Sequence, residues 1–544
     1  MKGERAWACL WGAVCLAVSS LPYAAAWWTA AGTGVYFVGL LHYPDDAYVY
    51  MSWMRQAADG HLLLKNEFTT VPQRGLAVNL LFAFLGLTAR VTGMTPLAVF
   101  HAARIAFGAV FLLCTYVFLK AVVRDRQART AGYILVCFSS GFGWMFPRAV
   151  PNSPVDLWQT EAISFLCVYQ NPLFLAALAA MLCFFTLMLN SVRRGRLRPA
   201  VAAGLLAGLL ANFHGYDLII LLAVWGAYLL CRWARMRRVI WREAAGMGMA
   251  ALLAAPAVAY QYWLYSAEPV FRERVLVPTG SAGLHWVLLG YGLLIPLAVL
   301  GALLSRGRGG DADDAEARRF LVVWAVVGLA LPYLPVPFQR KLLMGVHIPL
   351  AALAGIGVEH LRQTWRLSGT TALGLAVLIT CPSNVRWLRQ AAVNMQNNLT
   401  ESNQRVFLLP TEVDALRWLR HSAHGAPVLA MPLTGVAGYI PAIGGCSVYV
   451  GHWGETPSFA QKLRMARLFY RPGTPQDWRR VFLAESGVRY VLYGPAEKAL
   501  SGGAAEAELN GLGLLEPAYR AGEGNAVVTV YRVKAGRAEA PDHS

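Results

Sequence analysis

Stretches of mainly apolar residues, about the ~20 needed to cross a ~30 Å hydrocarbon core as a helix, recur along this chain up to residue 382 and then stop. The expected spans lie at 7–29, 98–119, 131–147, 171–190, 199–213, 217–231, 245–262, 285–304, 320–336, 342–358 and 367–382, eleven in all. With 57% hydrophobic and 14% charged residues, a soluble, disordered or fibrous chain is excluded. The expected fold class is a membrane all-α polytopic bundle over residues 1–382, with an outer loop at 30–97, followed by an extracytoplasmic α/β domain at 383–544.

Charge fixes the direction of the spans. The net charge of +18 would suit a nucleic-acid partner, but its distribution points to a bilayer and no nucleic acid. A further apolar stretch, Leu76 to Leu87, decides the orientation. If it does not cross, the basic connections fall on one side with Lys2 and Arg5: Lys120, Arg124, Arg126 and Arg129; Arg193 to Arg198; Arg232 to Arg242; Arg306, Arg308, Arg318 and Arg319; and Arg362 with Arg366. The positive-inside rule makes that side cytoplasmic, and Leu76 to Leu87 is then an interfacial or re-entrant helix on the outer face. Ala24-Ala25-Ala26 resembles a signal-peptide cleavage site, yet the long apolar run and the Trp27-Trp28 belt favour a retained anchor. The nine cysteines show no metal-like spacing and are expected to pack.

Beyond residue 383 the composition shifts to charges, glycine and short alternating runs. Helices are expected at 414–421, 458–470 and 478–486, the second with Thr456 as N-cap and Pro457 in its first turn. Strands are expected at 428–431, 488–493 and 526–533. Asn398-Leu399-Thr400 matches a glycosylation sequon.

Polar residues gather on the outer side. Pro44-Asp45-Asp46 opens a helical pattern over 47–58 that puts Tyr48, Met51 and Met54 or Arg55 on successive turns. Two adjacent carboxylates at a membrane surface raise one another's pKa and suit a general base; alternatively one of them caps the helix. Gln339-Arg340-Lys341 places two cations in a short turn on the side where they are disfavoured. A lipid phosphate would explain them, as would snorkelling to headgroups. Arg104, inside a span, should face a cavity or a carboxylate such as Asp45 or Asp46, since an arginine there costs roughly 2.5–3.5 kcal/mol on insertion scales. His214 and Asp217, with Glu161, offer polar contacts or too few ligands for a metal. His452, Trp453 and Glu455 could bind a sugar by stacking and hydrogen bonding, or mark a helix entry; Arg55 is a further substrate-binding candidate.

Tyr43-Pro44-Asp45-Asp46-Ala47-Tyr48 in a long first outer loop, an interfacial helix over Gly75 to Gly86, a span opening His101-Ala102-Ala103-Arg104-Ile105, and the late turn Gln339-Arg340-Lys341 follow one another in order. In this layout the chain resembles the GT-C superfamily of integral-membrane glycosyltransferases, especially protein mannosyltransferases and bacterial lipid A aminoarabinose transferases. The resemblance implies a polyprenyl-phosphate-sugar donor, a lipid, glycan or protein acceptor on the outer face, and a first-loop aspartate as base. Some members use a divalent cation at a carboxylate cluster, whereas those with a monophosphate carrier generally do not, and no cofactor is expected here. The chain departs from the pattern at Gln170-Asn171-Pro172, where members often carry an acid, and at the His214 turn, which lacks a lysine often found nearby.

The expected activity is inverting sugar transfer at a bacterial inner membrane, with the N-terminus cytoplasmic and the C-terminal domain periplasmic. Asp45 or Asp46 would take the acceptor proton, and Arg340, Lys341 and Arg104 would stabilise the departing phosphate. A transporter or lipid flippase is the alternative, although no internal repeat is visible. A scaffold without chemistry would leave the outer charges unexplained.

Overall fold

The computed structural model describes residues 2–304 and 312–534, so Arg306 and Arg308 lie outside the described residues. Six of its helices are long and apolar enough to cross a membrane: Gly3–Thr33, Pro96–Val122, Pro172–Arg194, Tyr216–Met236, Trp241–Ala267 and Gln339–Thr364. A seventh span is possible if Leu284–Tyr291 and Leu294–Leu303, bent by 81° at their junction, count as one. The protein is therefore a multi-pass membrane protein. The other four expected spans are not among these. Arg126–Phe138, Arg198–Phe213 and Gly369–Thr380 have 13, 16 and 12 residues, which at 1.5 Å per residue reach only about 18–24 Å. Ala312–Ala330 carries Asp313 and Asp314 in its first turn, where carboxylates favour a helix N-terminus and disfavour a hydrocarbon core.

The chain separates into two compact units. The first comprises Met1–Leu21, Phe100–Trp263 and Val275–Gln390; the second comprises Pro22–Val99, Leu264–Arg274 and Ala391–Ser544. This division differs from the expected boundary at 382, because the first long loop groups with the C-terminal segment.

Within the first unit, small residues let helices approach closely. A Cβ on Gly301 would stand 2.0 Å from the Leu353 carbonyl oxygen, and one on Gly355 would stand 2.4 Å from the Ala128 oxygen, so three helices meet backbone to backbone. The departure at Gln170-Asn171-Pro172 is a helix start. Asn171 Oδ1 accepts from the Leu173 N–H at 2.9 Å, and Pro172 takes the first helical position, where its missing N–H costs nothing.

In the second unit, α2 (Pro44–Ala58) and α3 (Leu80–Thr92) pack where Gly86 faces the Met54 carbonyl, a Cβ there falling 2.3 Å from that oxygen. α3 has 13 residues, with Leu81, Phe82, Leu85 and Ala89 buried. Its exposed Leu80, Phe84, Leu87 and Val91 recur at helical spacing along one stripe, as a helix lying in an interface requires. β1 (Tyr36–Phe37) pairs antiparallel with β2 (Phe407–Leu408). β3 (Val428–Leu429), β4 (Tyr490–Tyr493), β5 (Leu515–Ala521) and β6 (Val528–Val533) form a sheet in the order β3-β4-β6-β5, with β3 and β4 parallel and the rest antiparallel. Leu429, Val491, Tyr493, Phe469, Tyr470 and Phe482 form the core under it.

Helices occur at Pro410–Ser422, Phe459–Tyr470 and Gln476–Ser486, close to their expected places. The capping expectation at Thr456 fails. Its hydroxyl accepts from the Gly451 and His452 N–H groups and donates to the Phe68 carbonyl at 2.7 Å, so the helix starts later, with Ser458 as N-cap. The Asn398 side chain is likewise engaged, accepting from Phe407 N–H at 2.6 Å and donating to the Phe407 carbonyl at 3.2 Å.

Candidate active site

Tyr43 occupies the N-cap of α2 in the left-handed region, φ 46°, without a side-chain cap, and Pro44 fills the first turn with Asp45 and Asp46. Neither carboxylate is therefore the cap, and both sit at the positive end of the helix. Asp45 is buried, at 8% exposure, while the Asp46 side chain is 52% exposed. The Asp45 N–H donates to Gln404 Oε1 at 3.2 Å. Among the described residues Asp45 Oδ1, itself buried, finds no hydrogen-bond partner. Burial and the adjacent Asp46 charge raise the Asp45 pKa above the usual carboxylate value, against the opposing pull of His452 and Gln404.

His452 joins the pair from the C-terminal segment. Its Nε2 lies 3.2 Å from Asp46 Oδ1 and 3.8 Å from Asp45 Oδ2. Its Nδ1 accepts from the Gly454 and Glu455 N–H groups at 3.0 and 3.1 Å. Trp453 stacks on the imidazole at 5.7 Å between ring centroids and keeps 38% of its surface exposed. Glu455 is buried and paired with Arg274 at 2.6 Å, and the Arg274 guanidinium lies 5.0 Å from the centre of the Trp53 ring. Sequence reasoning grouped His452, Trp453 and Glu455 with one another but not with Asp45 and Asp46.

The Arg55 guanidinium donates to the Pro441 carbonyl at 2.9 Å and to Asp59 at 2.6 Å and is ion-paired with Glu67, contacts that fasten α2 in place.

The first unit carries the other candidates. The expected turn is a 3₁₀ helix over Gln339–Leu343. The Arg340 main chain is pinned at both ends: its N–H donates to the Thr279 carbonyl at 3.1 Å, and its carbonyl accepts from Gln159 Nε2 at 2.8 Å. The Arg340 guanidinium lies 5.7 Å from the centre of the Trp158 ring, and its buried Nε finds no hydrogen-bond partner among the described residues. Lys341 Nζ lies 4.4 Å from the centre of the Tyr216 ring and 3.3 Å from its hydroxyl. Tyr216 in turn packs against Phe338 and His214, and His214 Nδ1 lies 2.9 Å from the buried Asp217 Oδ2. His214, Asp217 and Lys341 thus form one cluster through Tyr216. Glu161 lies in the separate 3₁₀ turn Thr160–Ala162. Arg104 is buried and donates to the Val168 carbonyl at 3.1 Å and the Ser20 hydroxyl at 2.9 Å.

Among the described residues no three His, Cys, Asp or Glu side chains are grouped so as to hold a metal ion. His452 also turns toward the acidic pair the ring nitrogen that donates, which does not fit a ligand to a cation between them. Gln404, Trp158 and Tyr216 were not singled out from the sequence. Only Tyr216, inside the conspicuous His214–Asp217 turn, had a signal to follow.

No protein-family model matches the chain, and no curated protein matches it in sequence. Solved structures match it in fold. The oligosaccharyltransferase of Archaeoglobus fulgidus in the apo form superimposes with a TM-score of 0.58 at 12% identity, over 92% of this chain and 72% of that one. ArnT from Cupriavidus metallidurans in the apo state gives 0.52 at 13% identity, over 97% of this chain and 98% of that one. The same enzyme bound to undecaprenyl phosphate gives 0.50, also at 13% identity, over 96% and 98%. The chain therefore shares its fold with the archaeal oligosaccharyltransferase and with ArnT.

Proposed function

We propose that the protein is an inverting glycosyltransferase that moves a sugar from a polyprenyl-phosphate carrier to an acceptor hydroxyl on the outer face of a bacterial inner membrane. Its basic connections then lie in the cytoplasm, its C-terminal segment in the periplasm, and the short apolar helices with their flanking turns complete eleven crossings. The observation that carries this proposal is Asp45, a buried carboxylate with an unspent oxygen at a helix N-terminus, in a chain with a glycosyltransferase fold. Structural neighbours are known with undecaprenyl phosphate and with an inhibitory peptide and dolichol phosphate, which supports a lipid-linked donor.

In the reaction the acceptor oxygen attacks the anomeric carbon, its proton passes to the carboxylate, and the bond from that carbon to the phosphate oxygen breaks. The electron pair leaves with the polyprenyl phosphate. A single displacement of this kind inverts the anomeric configuration. The raised proton affinity of Asp45 suits it to accept that proton. Arg340 offers a planar fork and Lys341 a point charge to the departing phosphate, with Arg104 supporting them. Trp453 offers an exposed aromatic face to a sugar ring. A flippase would use a broken helix, but the bend at Leu289-Gly290-Tyr291-Gly292-Leu293 carries no charged residue.

The test is transfer of radiolabelled sugar from a set of polyprenyl-phosphate donors by purified protein, with membrane extract as acceptor. Wild type is expected to transfer, and Asp45→Asn to lose about 10²–10⁴-fold in rate, the usual contribution of a general base, with Asp46→Asn losing less. Wild type that transfers from no donor, or two variants as fast as wild type, would overturn the mechanism and favour a transporter.

A further inference from the structure

The ring of His452 is buried between two sets of partners, and they fix where its proton sits. Two main-chain N–H groups, from Gly454 and Glu455, converge on Nδ1. That nitrogen can accept them only through its lone pair, so it carries no hydrogen. The imidazole is then the Nε2–H tautomer, and Nε2 is the atom 3.2 Å from Asp46 Oδ1. Protonating the ring fully would break both main-chain bonds. The loop is braced to prevent such a shift: Thr456 Oγ1 accepts from the Gly451 and His452 N–H groups, and the Thr456 N–H donates to the His452 carbonyl at 2.9 Å.

We infer that His452 is a positioning residue for the acidic pair: its locked Nε2–H holds Asp46 as a hydrogen-bonded anion and leaves Asp45 as the proton acceptor of the transfer. This rests on the transferase function proposed above and divides the labour within its acidic pair. The groups facing the ring are Asp45 and Asp46 from α2, Glu455 from its own loop, itself held by Arg274, and the Phe68 and Trp453 rings. Asp45 is faced by Asp46, His452, Gln404 and the phenol of Tyr439.

Removing a donor from a carboxylate raises its affinity for protons. In His452→Ala the acid limb of the kcat/KM profile should therefore move to higher pH by about one unit. kcat should fall about tenfold or more with KM for the donor changed less than about twofold, since the lost contact is to the acidic pair and not to the substrate. His452→Gln, whose amide N–H₂ can reach the same carboxylate, should return the limb toward wild type. A merely structural histidine would lower the yield of folded protein or its Tm and leave the limb in place. Active His452→Ala with an unmoved limb would overturn the inference.

A second measurement does not depend on turnover. Burial opposes protonation of the ring, but the Asp46 hydrogen bond and the facing carboxylates raise its pKa overall, so solid-state ¹⁵N spectra of histidine-labelled protein in liposomes, with the His452→Gln spectrum subtracted, should show an unprotonated Nδ1 and a protonated Nε2 at about pH 8. A ring that carries its proton on Nδ1 at that pH would overturn the positioning role. If wild type transfers no sugar, the transferase proposal falls together with the catalytic half of this inference. The spectra then still decide whether the ring holds the pair.

Discussion

The acidic pair and the basic turn hold their charges by contrasting means. Asp45 and Asp46 are held by hydrogen bonds, from the Asp45 main chain to Gln404 and from His452 to the Asp46 carboxylate, and one Asp45 oxygen is left over. Arg340 and Lys341 rest on the faces of Trp158 and Tyr216. An aromatic face attracts a cation without consuming its N–H donors. The turn therefore offers directed donors to an anion, whereas at the acidic pair the spare capacity is a single acceptor. The roles proposed above for each would draw on these separate capacities.

On the basic side of that comparison Arg340→Ala should make the largest break, lowering kcat by about 10²–10³-fold, the usual loss when one donor to a developing oxyanion is removed. Arg340→Lys should recover little, because an ammonium lacks the planar fork. Full activity in the lysine variant would show that charge alone serves.

A further buried carboxylate of the second unit sharpens the contrast. Glu497 accepts from the Met431 and Gly494 N–H groups at 2.8 and 3.0 Å, and burial pushes its pKa up to about 7 from an ordinary 4.5. Its folded-state pKa lies above the unfolded one. Its contribution to stability is thus fully present below about pH 4.5 and is lost as pH rises through about 7, amounting to about 3 kcal/mol. Unfolding measured from pH 4 to 8 should show that slope in wild type and a flatter one in Glu497→Gln, with transfer retained at pH 7. Asp45→Asn should do the reverse, losing transfer while the Tm holds or rises, since it removes a desolvated charge. A Tm that drops sharply in Asp45→Asn would make Asp45 a structural acid like Glu497.

The smallest effect belongs to the platform. Tyr216→Leu removes the face under Lys341, a contact typically worth about 0.5–2 kcal/mol, and should raise KM for the donor about threefold to tenfold with kcat nearly unchanged. Equal losses in kcat and kcat/KM would place Lys341 in the transition state instead.

The acidic pair was visible in the sequence because its two carboxylates are adjacent, and the basic turn because cations stand where the charge rule disfavours them. The long helices were visible as uninterrupted apolar runs. The span expected at 131–147 ends at Phe138, because Ser139-Ser140-Gly141 turns the chain away; Ser140 N–H bonds the Thr380 carbonyl at 2.6 Å. β5 escaped notice because Pro517 interrupts its alternation, and the register shift between Pro517 and Tyr519 is tolerated at the sheet edge. Thr456 had the sequence of a cap, but its hydroxyl was claimed by the loop before it. The partners of Arg55 divide the same way: Asp59, four residues on, follows from helical spacing, whereas Glu67 and the Pro441 carbonyl depend on a fold that no local pattern records.

The contacts that hold the acidic pair reach across 359 and 406 residues of chain. At about 5–20 residues per second of synthesis, Asp46 waits roughly 20–80 s after its own incorporation before His452 exists to meet it. A chain released early, with its membrane helices complete but its last hundred residues missing, carries both aspartates and Gln404 but lacks His452. On the proposed function, activity would therefore appear as a late event in biogenesis, after insertion is finished.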